Sequence, residues 1–233
     1  MSVRPDAILV SESLIALISE RGVHLPPEYH YSSLVFCVTD AVFSIGVRYE
    51  SVQRVVRNLA RFLDLSQVYR SSDEIELTLS DFMGAMSSWT ADSMAQNVFS
   101  NKCRTSTRNG ILKAEAVLKF SEALIESGID SFADLTPSRL EMAGAKIRSI
   151  KGQKSGVSFK YFCMLAGLDH LIKPDRMVCR YVQDTLGLSR EVSPSFAEQM
   201  ILESIELLRA KRPSISAREV DYVIWEFQRG RAI

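Results

Sequence analysis

Residues 140–182 read LEMAGAKIRSIKGQKSGVSFKYFCMLAGLDHLIKPDRMVCRYV, and the order of residue types in this stretch decides the fold. An amphipathic run ends at a turn holding Gly152 and Gly156. An apolar run follows as far as Gly167, and a short loop then leads to Pro174-Asp175 and a run with Val178, Tyr181, Val182 and Thr185 at helical spacing. The pattern is helix, tight turn, apolar helix, loop, helix. A glycine turn that opens a helix aims backbone N–H groups outward beside the positive end of the helix dipole, so it can hold a phosphate without touching a base. Lys146, Arg148, Lys151, Lys154 and Lys160 surround this turn, and no acidic residue falls between 142 and 168. Scattered lysines of this kind are either a solvated face or a local basic patch.

Working outward, the helical period persists. Val52, Val55, Val56, Leu59, Phe62 and Leu63 form one stripe, and others run through 111–125, 197–208 and 220–227. The breaks carry stop or cap chemistry at Pro26-Pro27, Thr136-Pro137, Pro174-Asp175, Ser193-Pro194 and Arg212-Pro213-Ser214. About ten helices are expected on this reading. Residues 71–80, SSDEIELTLS, alternate Ile75, Leu77 and Leu79 with polar residues in the manner of a short strand, but a helix running on into DFMGAMSSW is the reading adopted.

With 233 residues and 46% hydrophobic content the chain can bury a real core. Lys and Arg total 28, as do Asp and Glu, so no global field draws it to a polyanion and any nucleic-acid binding must come from a local patch. Cys37, Cys103, Cys163 and Cys179 form no CxxC pair and are read as reduced core residues. Asp6, Glu12 and Glu20 interrupt the apolar residues near the N-terminus, so neither a secretory leader nor a membrane span is expected, and the chain is placed in the cytoplasm.

Several stretches, taken in order, resemble the helix-hairpin-helix DNA glycosylases, the group of endonuclease III and MutY. Ile150-Lys151-Gly152 is similar to the start of the family's Leu-Pro-Gly-hydrophobic-Gly hairpin, Gly167 to the glycine that ends its apolar helix, and Pro174-Asp175-Arg176-Met177 to its Asp-bearing turn. Residues 34–56 resemble the early helix pair, Leu112-Lys113-Ala114-Glu115 a segment upstream of the hairpin, and Asp221-Tyr222-Val223-Ile224-Trp225 followed by Gly230-Arg231 the last helix. The resemblance implies an all-α fold of two helical subdomains, 30–168 and 1–29 with 169–233, with a helix-hairpin-helix motif and a cleft between them. It implies a monomer that acts on damaged or mismatched double-stranded DNA. Asp175 would assist glycosyl cleavage after a base is flipped. Lys151, Gly152, Gln153, Lys154, Ser155 and Gly156 would hold a phosphate, and Arg48, Tyr49, Lys160 and Arg176 would touch DNA.

The departures are specific. Gln153 stands at the hairpin's hydrophobic position and Lys154 where a second Gly is usual. Gly156 stands where bifunctional members carry the Schiff-base lysine, which removes the covalent lyase route unless Lys151 or Lys154 supplies it. No four-cysteine cluster follows, so no iron-sulfur cofactor is expected, and His24, His30 and His170 have no metal-site spacing. The alternative to an N-glycosylase is a catalytically inactive DNA- or protein-binding module on the same fold. On the residues alone Asp175 reads first as a helix N-cap, a role compatible with the chemistry that the resemblance implies. Asp169 reads as a cap or solvated residue, Lys113 as an exposed helix lysine, and Trp89, Phe99, Phe159 and Tyr161 as core aromatics.

Overall fold

The computed structural model describes residues 4–70 and 76–230. Among these the chain forms eleven α-helices: α1 Pro5–Arg21, α2 Leu34–Phe43, α3 Tyr49–Phe62, α4 Leu79–Met86, α5 Ala91–Asn97, α6 Lys113–Ile125, α7 Pro137–Ser149, α8 Val157–Leu165, α9 Arg176–Thr185, α10 Pro194–Arg209 and α11 Ala217–Gly230. The described residues contain no strand, only two isolated bridges, Tyr31 with Tyr69 and Arg104 with Leu112. No described helix is long and apolar enough to cross a membrane.

Helix starts follow from local chemistry. Pro occupies the first turn of α1, α7 and α10, where its missing N–H would have had no intrahelical partner. Ser33, Thr136 and Ser193 accept a backbone N–H from the first turn of α2, α7 and α10. The helix expected over 71–80 starts later: residues 76–78 are irregular and α4 begins at Leu79. Thr78 and Asp81 form a capping box, with Thr78 Oγ1 accepting the Asp81 N–H at 3.0 Å and Asp81 Oδ2 accepting the Thr78 N–H at 3.2 Å. Such a box ends the extended segment there; positions 71–75 and Arg231 lie outside the described residues.

The chain divides into two compact units, Pro27–Gly167 and Met1–Pro26 with Leu168–Ile233. The Pro27–Gly167 unit is built around α2, LVFCVTDAVF, every residue of which is buried. A helix apolar on all sides needs neighbours on all sides, and α3, α4, α6 and α8 supply them, with α5 and α7 packing on α6. Lys113 corrects its expected place on the surface. It is 2% exposed, and its Nζ donates to the carbonyls of Phe43 at 2.9 Å and Ile45 at 2.7 Å. An ammonium at the carbonyl end of a helix satisfies acceptors left open there and meets the negative end of the dipole. Of the cysteines, Cys37 and Cys163 are buried and Cys179 partly so, but Cys103 is exposed, since its segment 101–111 is a loop rather than a helix.

The other unit joins α1 to three helices far away in sequence. Leu14, Ile18, Val182, Ile201, Ile205 and Ile224 are among its core residues. α1 lies along α10, with Ser204 Oγ donating to the Ala7 carbonyl at 3.0 Å, while α10 and α11 pack on α9.

Candidate nucleic-acid interface and the Asp175 turn

In the Pro27–Gly167 unit, α7 and α8 are joined by the turn 150–156. Gly144 lets them approach: a Cβ there would stand 2.7 Å from Phe159 Cε1. Gly152 has φ +90°, and a Cβ on it would stand 2.4 Å from Thr105 Cβ and Oγ1, so only glycine fits. Thr105 Oγ1 also donates to the Lys151 carbonyl at 2.9 Å. The turn therefore rests on the loop 101–111.

The turn is less open than the sequence suggests. The Gln153 N–H donates to the Ile150 carbonyl at 2.9 Å and the Gly156 N–H to the Gln153 carbonyl at 3.0 Å. Ser155 Oγ accepts the Val157 N–H at 3.4 Å. These N–H groups, expected to face a phosphate, are thus taken up inside the turn. Gln153 is 2% exposed and its side chain accepts from Ser158 Oγ. It fills the inward hydrophobic position with its carboxamide oxygen engaged, and so corrects its assignment as a phosphate contact. Lys151, Lys154 and Ser155 remain exposed, and Lys160 is half-buried on α8. Arg148 runs beside Gly156, its Cδ and Nη1 3.8 Å from where a Cβ would stand.

Loop 101–111 adds cations that the sequence reading missed. Lys102, Arg104 and Arg108 are exposed, and the segment between Asp92 and Glu115 holds no acidic residue, which was the available signal. Nearby lysines are neutralised: Lys119 pairs with Glu115 at 3.0 Å and Lys146 with Glu126 at 2.6 Å. Among the described residues no carboxylate stands within ion-pair distance of Lys102, Arg108, Arg148, Lys151 or Lys154. Two acid-free segments meeting at Thr105 and Gly152 make a local positive field on a neutral chain.

Arg48, just before α3, is exposed. Tyr49 turns inward: its hydroxyl donates to Asp40 Oδ2 at 3.3 Å, beside Tyr31, whose hydroxyl donates to the same oxygen at 2.9 Å. Burial first, and the Asp40 charge second, push both phenols far above their ordinary range. The polar end of Tyr49 is committed inside, which corrects its place among the DNA contacts. The Tyr31 ring also stacks on Tyr69 with centroids 5.7 Å apart, on the wall of a groove of about 560 Å³ that Gln53 and Arg57 also line.

Asp175 and Arg176 lie in the other unit. Asp175 is the N-cap of α9, its Oδ1 accepting the Met177 N–H at 2.7 Å and the Val178 N–H at 3.4 Å. Oδ2 stands 4.0 Å from Lys173 Nζ, and the Asp175 side chain is 25% exposed. Arg176 is exposed at the first helical position. A second carboxylate, absent from the sequence-based site, completes the group. Asp221, 5% exposed on α11, accepts the Lys173 N–H at 2.7 Å. Burial, then the charge of Asp175, pushes its carboxyl up to about 8. Asp169 meets α11 through its backbone, its carbonyl accepting the Ala217 N–H at 2.8 Å, and its exposed carboxylate pairs with Arg218 at 2.5 Å. The side chain that caps α11 is Ser216, whose Oγ accepts the Glu219 N–H at 3.2 Å.

The chain is thus an all-helical protein with a basic two-loop surface on one unit and a helix-capping aspartate beside a lysine on the other. It belongs to the family described as Domain of unknown function (DUF8548), whose model matches residues 11–229. No curated protein and no solved structure matches it.

Proposed function

We propose that the protein binds duplex DNA and acts as a monofunctional DNA N-glycosylase on a flipped base. The observation that carries this reading is the asymmetric use of the Asp175 carboxylate: Oδ1 is held by two N–H groups of α9, while Oδ2 lies beside Lys173 on a side chain one-quarter exposed. A fixed carboxylate of this kind can stabilise the positive charge that develops on the sugar. It can also accept a proton from the water that attacks C1′ as the C–N bond breaks and the base leaves with the bonding electrons and takes up a proton. The exposed cations of the turn 150–156 and of loop 101–111 supply backbone affinity.

A second reading, a module that binds DNA without cutting, is favoured by the capping work Asp175 already does and by the inward Gln153. Fluorescence anisotropy on duplex DNA across a salt series, together with base release from a panel of damaged and mismatched duplexes, separates the two. Asp175→Asn keeps a good N-cap and is expected to abolish release with DNA affinity retained. Undiminished release removes Asp175 from the mechanism. Binding without release by the unaltered protein selects the module, and absence of binding at low salt rejects both.

A further inference from the structure

We propose that Asp221 is the positioning residue for Asp175: by accepting the Lys173 N–H it fixes the turn from which the Asp175 carboxylate is presented. The inference rests on Asp175 being the acting group of the proposed glycosylase, and it concerns a residue on a different helix that meets no substrate in that reading.

The geometry is a continuous relay of short hydrogen bonds from α11 to α9. Asp221 Oδ1 accepts the Lys173 N–H at 2.7 Å. The Lys173 carbonyl accepts the Asp175 N–H at 2.7 Å. Asp175 Oδ1 then accepts the Met177 N–H at 2.7 Å. Residues 171–174 have no regular structure, so the Lys173 N–H has no helical or strand partner, and a buried amide without an acceptor is rare because its desolvation is uncompensated. Pro174, which follows, has no N–H to offer. The Lys173 N–H is therefore held from outside the turn, by a side chain of α11.

The charged groups that bear on Asp221 are Asp175 and Lys173, while Arg218 on its own helix is engaged by Asp169. Because burial keeps Asp221 protonated at neutral pH, it holds the Lys173 N–H without setting a second negative charge beside Asp175. Once ionised, it does. Two carboxylates then share one lysine, and Asp175 is repelled from the position that its cap defines.

Two variants separate positioning from simple stability. Asp221→Asn keeps the acceptor and cannot ionise; Asp221→Leu removes the acceptor and keeps the bulk. Single-turnover base release, measured from pH 6 to 9.5, is expected to fall at least about tenfold in Asp221→Leu, in line with the cost of a displaced acting group. Asn should rescue that loss, and its profile should lack the alkaline decline of the unaltered protein. A Leu variant with the unaltered rate and profile, or an Asn variant that keeps the alkaline decline, overturns the proposal. Carboxyl-carbon NMR on the full chain decides without activity. The Asp175 signal should show an inflection near pH 8, reporting Asp221, that disappears in Asp221→Asn, and its absence in the unaltered protein also overturns the proposal. If no duplex releases a base while the inflection is present, the glycosylase reading fails and the coupling stands.

Discussion

Replacing Asp221 with Asn should make the protein more stable, by an amount that grows with pH. The folded carboxyl titrates near 8 against an ordinary value of 3.8. Between those values the folded state holds a proton that the unfolded state has lost, so unfolding releases a proton and stability falls as pH rises. The slope for one proton is about 1.4 kcal/mol per pH unit. From pH 5 to 7 the unaltered protein therefore loses about 2.7 kcal/mol relative to Asp221→Asn. The difference levels off above pH 8 at a total of roughly 6 kcal/mol. The Asn carboxamide oxygen can still accept the Lys173 N–H, so the acceptor is not what changes. Urea denaturation at pH 5, 6, 7 and 8 would test this, read by Trp225 fluorescence in a Trp89→Phe background so that the signal comes from the unit containing Asp221. Taking the difference between variants cancels the titrating groups remote from Asp221 and leaves Asp221 with its coupled neighbours Asp175 and Lys173. A difference that stays flat from pH 5 to 8 refutes the buried, protonated carboxyl. Asp175→Asn, which removes the second cause of the shift, should move the titration of Asp221 downward.

Lys113→Met should cost about 3–5 kcal/mol in guanidinium denaturation, since it leaves the Phe43 and Ile45 carbonyls without their donor; the exposed Lys119→Met should change stability by no more than about 0.5 kcal/mol. Gly144→Ala should destabilise by about 1–3 kcal/mol through overpacking against Phe159, and a double-mutant cycle with Phe159→Leu should recover most of that loss. Charge reversal at Lys102 and Arg108 should weaken duplex binding and flatten the slope of log affinity against log salt by about 0.9 per lost phosphate contact. The same change at Lys211, in the other unit, should leave the slope intact.

What could be read from the sequence was whatever is decided within a few residues. Helical periodicity gave the all-α class, and the cap chemistry of Thr136-Pro137, Pro174-Asp175 and Ser193-Pro194 marked the starts of α7, α9 and α10. Thr78 shows the same rule working against the longer helix expected over 71–80, because the capping box with Asp81 was as local a signal as the hydrophobic pattern. Lys113 and Asp221 were hidden for the opposite reason. Each is an ionisable residue whose burial depends on backbone groups far away, the carbonyls at the end of α2 and the Lys173 N–H. No spacing rule within one helix reports such a partner. The cations of loop 101–111 sit between: their acid-free segment was visible, but its meeting with the turn 150–156 at Thr105 was not.

The pairing of α1 with α10 has a consequence for synthesis on the ribosome. Ala7 and Ser204 are 197 positions apart, so at typical elongation speeds the first helix waits about 10–40 s for its partner to be made. The intervening Pro27–Gly167 segment, with its own core, can collapse during that interval. Meanwhile Val10, Leu14 and Ile18, all sealed in the finished protein, stay uncovered on the nascent chain. Translation that stalls before α10 emerges should yield a product with a folded middle and an adhesive leading helix, a target for chaperones and for aggregation.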